Sequence, residues 1–121
     1  MTGPGEARPV IPPGVALCRL DDLADPGARN VVLQIGEHRF HGFLVRSGDS
    51  VRGYADRCPH MGLPLAQRLD DYLTPDGRLI ACSWHGALFS ISDGVCVGGP
   101  CTGATLSPWA VRNDNGTVVT A

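Results

Sequence analysis

An all-β domain of short antiparallel strands is the fold this chain predicts. Apolar stretches of strand length recur between glycine, proline and aspartate turn signals, and no stretch holds a helical period for three turns. Taken in order, the expected strands cover residues 15–20, 30–35, 39–45, 51–55, 78–82, 87–91, 109–112 and 117–120. Turn signals separate them at Asp25-Pro26-Gly27, Ser47-Gly48-Asp49, Asp76-Gly77, Asp93-Gly94 and Asn115-Gly116. The Asn-Gly pair is the sharpest, because both residues accept the positive φ of a two-residue hairpin loop. Two segments, "LCRLDDLAD" (17–25) and "LAQRLDDYL" (65–73), could each hold one or two helical turns.

With 121 residues the chain has the length of one domain. The stretch 1–14, "MTGPGEARPVIPPG", is rich in Pro and Gly and reads as a flexible tail, leaving 15–121 as the folded unit. It has neither a basic cluster ahead of an apolar core nor a twin arginine, so neither signal peptide nor membrane anchor is expected. The longest apolar runs, such as Gly42-Phe43-Leu44-Val45, have the length of a strand. A cytoplasmic protein with no membrane partner is the resulting expectation. Formal charge is −2, and all ten basic residues are arginines scattered along the chain without a cluster, which gives no footprint for nucleic acid. Five cysteines, an odd number, in a chain without an export signal favour metal ligation over a disulfide framework.

The chemistry concentrates in two Cys/His pairs, Cys58-Pro59-His60 and Cys82-Ser83-Trp84-His85, separated by residues 61–81. Two soft thiolates and two imidazoles in mirrored order read as a metal site. A Cys-x-His half followed by a Cys-x-x-His half, each trailed by glycine (Met61-Gly62 and Gly86), resembles the two cluster-binding loops of Rieske proteins. The flanks "DRCPHMGLPLAQ" (56–67), "ACSWHGALFSISDG" (81–94) and "VCVGGP" (95–100) are similar to the first, second and proline-bearing third loops of that family. The resemblance covers roughly residues 15 to 120. It implies a [2Fe-2S] cluster held by Cys58 and Cys82 on the buried iron and by His60 and His85 on the outer iron. It also implies a small cluster-binding subdomain, about 57–92, on a larger β base.

Departures from the family pattern sharpen the expectation. High-potential members carry an extra cysteine in each loop, joined as a disulfide; Leu63 and Trp84 stand at those positions here. Serine and tyrosine donors to the cluster sulfurs are replaced by Ala87 and Phe89. The resemblance therefore implies a potential near the lower end of the roughly −150 to +300 mV Rieske range, as in low-potential ferredoxins. It implies a one-electron carrier and no catalytic residue. The donor would be a flavin-dependent reductase and the acceptor a Rieske non-haem iron oxygenase. A Rieske-like small subunit of an assimilatory nitrite reductase is a second reading, and a zinc-stabilised interaction module with the same four donors a third. Catalytic oxygen chemistry would need a further mononuclear iron site, for which only His38 and His41 remain, three residues apart and hence on opposite strand faces.

The remaining candidates have plainer readings. Cys18 reads as a small buried hydrophobe, and Cys96 and Cys101 as packing residues of the third loop. Trp84 would shield the cluster or touch a partner, and Trp109 reads as core. Gly98, Gly99 and Pro100 would let the third loop pass close to the cluster. The segment 68–77, "RLDDYLTPDG", lengthens the spacer and reads as a polar surface loop, with Asp70 and Asp71, like Asp21 and Asp22, as solvated acids.

Overall fold

Apolar side chains on both faces of one central strand organise the molecule into three layers. The computed structural model describes residues 11–58, 64–66, 70–82, 86–99 and 103–121. In chain order these form β1 (Ala16–Arg19), a 3-10 turn (Leu20–Asp22), β2 (Gly27–Ile35), β3 (His38–Ser47), β4 (Ser50–Ala55), β5 (Leu79–Ala81), β6 (Leu88–Ser90), β7 (Cys96–Gly98), β8 (Pro108–Trp109), β9 (Val111–Asp114) and β10 (Thr117–Thr120). They pair antiparallel in three sheets, ordered β1-β10-β9, β2-β3-β4-β8 and β5-β6-β7. The all-β expectation holds.

Three hairpins close with two-residue loops that carry a glycine. Gly36 joins β2 to β3, Gly48 joins β3 to β4, and Asn115-Gly116 joins β9 to β10, with positive φ at both residues of the last pair. Such loops match the right-handed twist of the strands they connect. The expected strand at 109–112 is in fact two, because the chain leaves the middle sheet after Trp109 and enters the first sheet at Val111. β7 was not expected: Cys96-Val97-Gly98 is too short and glycine-rich to read as a strand until β6 pairs with it. Of the two possible helical segments, 17–25 contains only the 3-10 turn, while residues 67–69 of the other lie outside the described residues.

The centre of the middle sheet is buried on both sides. Along β3, Gly42 to Val45 are all buried, which explains the uninterrupted apolar run there. Leu44 joins Val51, Trp109, Val118, Leu20 and Leu23 in a core against the first sheet. Phe43 and Val45 point the other way, into a core with Tyr54, Ile80, Phe89, Leu106, Cys58, Cys82 and Cys96. Trp109 lies over Gly42 and Gly53, where an added Cβ would come within 2.8 Å and 3.3 Å of its Cε3. The bare backbone leaves room for the indole. Thr120 is buried and ties the two ends of the domain, its hydroxyl donating to the Pro12 carbonyl at 2.7 Å and accepting from the Val15 N–H at 2.9 Å.

Candidate metal centre

Cys58 and Cys82 come from loops on different sheets and end in the same buried core, 0% and 1% exposed. The first loop leaves β4 at Ala55 and reaches Cys58 through Asp56. Oδ1 of Asp56 accepts the Leu65 N–H at 2.9 Å, so one carboxylate joins the two ends of that loop. The other oxygen, Oδ2, accepts the Tyr72 hydroxyl at 2.8 Å and the Asn30 side-chain amide at 3.2 Å. Asn30 also donates to the Tyr72 oxygen at 2.8 Å. Tyr72 stacks on Phe43, ring centroids 4.3 Å apart and nearly parallel at 6°. Burial first, and the Asp56 carboxylate next to it, push the Tyr72 hydroxyl far above the ordinary tyrosine range despite the opposing Asn30 hydrogen bond, so it stays a proton donor.

This brace was not anticipated from sequence. The composition of the spacer 68–77 suggests a polar surface loop, yet Tyr72 is 2% exposed and Ile80 forms an isolated bridge with Leu73. Asp70, read as a solvated acid, accepts the Asn30 backbone N–H at 2.7 Å on the edge of the middle sheet. An edge strand has such N–H groups to spare, and a carboxylate at hydrogen-bond distance satisfies one of them. The available signal was a tyrosine placed inside a run of acids.

The second loop is tight. Cys82 donates its N–H to Ala87 O at 2.8 Å and accepts from Gly86 N at 3.0 Å, closing the chain across residues 83–85. Ala87 and Phe89 follow, both fully buried and without a hydroxyl to offer. The third loop passes directly against this turn. A Cβ on Gly99, at φ +92°, would fall 2.7 Å from the Ala87 Cα and 3.1 Å from the Gly86 carbonyl oxygen, so only glycine fits. At Gly98 the same test meets nothing closer than 3.6 Å. Cys96 is buried, and its thiol donates to the Gly98 carbonyl at 3.1 Å. Cys18 is half-buried, not buried as expected, because β1 is an edge strand of the first sheet; burial nonetheless raises its thiol pKa.

His60 and His85 lie outside the described residues, as do Leu63, Trp84, Pro100 and Cys101. His38 and His41 are exposed, at opposite-facing positions of β3. The donor chemistry within reach fits a thiolate-bound cluster: two cysteines buried in one apolar core, the first on a loop closed by the Asp56 carboxylate and the second on a turn packed against Gly99, with no disulfide among the described cysteines.

A three-sheet β fold that buries two loop cysteines in one core fits an iron–sulfur protein of the Rieske class, and the family comparison establishes that class. The family model described as "Rieske [2Fe-2S] domain" matches residues 14–113, and the chain belongs to that family. Membership brings with it one [2Fe-2S] cluster. Among curated proteins, apoptosis-inducing factor 3 from Homo sapiens is 34% identical over 79 residues, which is 65% of this chain and 12% of that protein. The Mus musculus protein of the same name is 33% identical over 78 residues, 64% of this chain and 11% of its own length. The chain thus spans about an eighth of these relatives. Among solved structures, the complex of reduced oxygenase and oxidized ferredoxin in carbazole 1,9a-dioxygenase contains a chain 26% identical with TM-score 0.68, covering 88% of this chain and 91% of that one. The ferredoxin of carbazole 1,9a-dioxygenase from Nocardioides aromaticivorans IC177 shares the fold at 22% identity and TM-score 0.68, covering 90% and 96%. The Sphingomonas yanoikuyae B1 ferredoxin does so at 21% and 0.64, covering 88% and 96%. Among the described residues no helix is long and apolar enough to cross a membrane.

Proposed function

We propose that this protein is a one-electron carrier whose [2Fe-2S] cluster is held by Cys58 and Cys82 on one iron and by His60 and His85 on the other. The observation that carries the reading is the convergence of Cys58 and Cys82 in one buried, apolar core. The bound cluster supplies the chemistry, gaining and losing one electron at a time. The protein's part is to hold the thiolates, exclude water and limit motion. Phe89, Ala87, Leu65 and Cys96 wall the cysteines with apolar surface, and Asp56 keeps the first loop closed while the charge on the cluster changes. Ala87 and Phe89 carry no hydroxyl, so neither side chain donates a hydrogen bond to the sulfurs, which supports a low potential.

The donor is a flavin-dependent reductase and the acceptor a Rieske non-haem iron oxygenase. Likeness in fold to ferredoxins of carbazole 1,9a-dioxygenase systems supports the oxygenase partner. Val97, 55% exposed on the edge strand of the third sheet, belongs to the proposed partner face beside the third loop.

The test is an EPR spectrum of the anaerobically purified, dithionite-reduced protein with metal analysis on the same sample. A rhombic signal with average g below the free-electron value and iron bound to the chain supports the carrier. A silent spectrum with bound zinc ends it. Stopped-flow mixing of the reduced protein with an oxidised Rieske oxygenase then reads electron delivery.

A further inference from the structure

At the end of the core between the middle and third sheets, the packed faces turn from apolar to polar and positive. On β3 the side chains facing the third sheet run Phe43, Val45, Ser47, and across from them on β4 run Tyr54, Arg52, Ser50, in register. The third sheet opposes this end with Ser90, and the turn after it adds Ile91 and Ser92. Gly77 and Arg78 arrive from the spacer. Together these residues line a cleft of about 490 Å³ with two arginines, four serines and no carboxylate.

A chain of net charge −2 has no general excess of arginine to place there. Asp76 accepts from Thr74 Oγ1 and the Arg78 N–H and feels the Arg78 charge, Asp93 accepts from the Val95 N–H, and Asp25 accepts from the Gly48 N–H. Among the described residues the only ion pair joins Arg112 to Asp114, away from this cleft. Arg52 and Arg78 line one concavity, and among the described residues neither forms a direct ion pair. Both residues are exposed and reachable from solvent. Two forked cations from different layers, with serine hydroxyls between them, match the oxygens of a tetrahedral anion. The hydroxyls of Ser90 and Ser92 already lie 3.1 Å apart, at a spacing that lets both reach one oxygen-rich group.

We infer that this cleft binds the phosphate group of a small molecule, bridging the middle and third sheets through Arg52 and Arg78. The site is independent of the cluster reading. It lies at the seam between the two layers, so occupancy stiffens the third sheet against the base.

Calorimetric titration of inorganic phosphate, pyrophosphate and a nucleoside monophosphate into the full chain tests it, with ionic strength held constant by NaCl. Saturable binding is expected, with a matching rise in Tm. R52Q and R78Q should each weaken it about tenfold, the loss of a hydrogen bond to a charged group, and R112Q should leave it unchanged. Tighter binding of the nucleotide than of inorganic phosphate assigns an organic phosphate, and the reverse assigns the free anion; either supports the site. No saturation at constant ionic strength overturns it, as does equal affinity in R52Q, R78Q and the parent protein. A glutamate-rich peptide that binds the cleft and is not displaced by pyrophosphate would overturn it in favour of an acidic protein partner.

Discussion

The middle sheet and the third sheet, with the loops that carry Cys58 and Cys82, are held together by different forces. In the middle sheet, β2 and β3 pair without interruption from Gly27–Arg46 to Ile35–His38, and apolar side chains cover both faces of its centre. In the third sheet, β5 and β6 pair only from Leu79–Ser90 to Ala81–Leu88, and β6 meets β7 with a break in register. What the short strands lack, side chains supply: the Asp56, Tyr72 and Asn30 brace, the Gly99 contact and two buried cysteines. A region built this way depends on single groups, whereas a long ladder spreads its stability over many.

Metal ligation gives the widest separation of the two. C58S or C82S is expected to abolish cluster binding, read as loss of visible absorbance and iron. Amide exchange should then quicken sharply in β5 and β6 while Leu44 and Val118 stay protected. Equal loss of protection in both regions would break the comparison.

Large-to-small changes in the cores come next. L44A and I80A each remove a fully buried side chain and should cost about 2–5 kcal/mol by urea unfolding. I80A should also speed cluster loss, and L44A should leave the cluster lifetime unchanged per unit of stability lost. A smaller strain is expected from G94A. Gly94 has φ +73°, and a Cβ there would meet Tyr54 Cε1 at 2.7 Å, so about 1–3 kcal/mol is expected in thermal unfolding.

Tyr72 tests the brace. Y72F keeps the stacked ring and removes the hydroxyl, leaving Asp56 and Asn30 to pair with each other, at a cost of about 1 kcal/mol in urea unfolding. It also carries a pH signature. The hydroxyl's pKa is raised in the folded state, so its contribution is complete below the ordinary tyrosine value near pH 10 and falls as pH rises beyond it, because the unfolded chain ionises first. Tyr54, also raised by burial, adds the same sign. Y72F should flatten the alkaline loss of stability, and an unchanged slope would remove Tyr72 from that account. Smallest of all is the expected stability effect of V97S, since Val97 faces solvent. Its Tm should hold while electron delivery to an oxygenase slows.

Fold class was legible because its signals are local. Alternating apolar residues and glycine turns at Gly48, Gly77, Gly94 and Asn115-Gly116 depend on backbone preferences that each short segment carries within itself. The Cys/His pairs stand out in the sequence for the same reason, since a ligand loop would have to place its donors within a few residues of each other. Cys58 and Cys82 were found as a pair in sequence; their burial in one core comes from the sheets that bring the loops together.

Other features waited on tertiary contacts. β7 is a strand only because β6 pairs with it, and Trp109 and Val111 fall in different sheets because the middle sheet closes before the first resumes. Asn30, Asp56 and the Asp70–Tyr72 segment are far apart along the chain, and their residues are chemically ordinary one by one. The meeting of Arg52 with Arg78 is of the same kind. Periodicity reports how a segment relates to its own backbone, while a hydrogen bond between distant side chains exists only once the packing of whole sheets has fixed both ends.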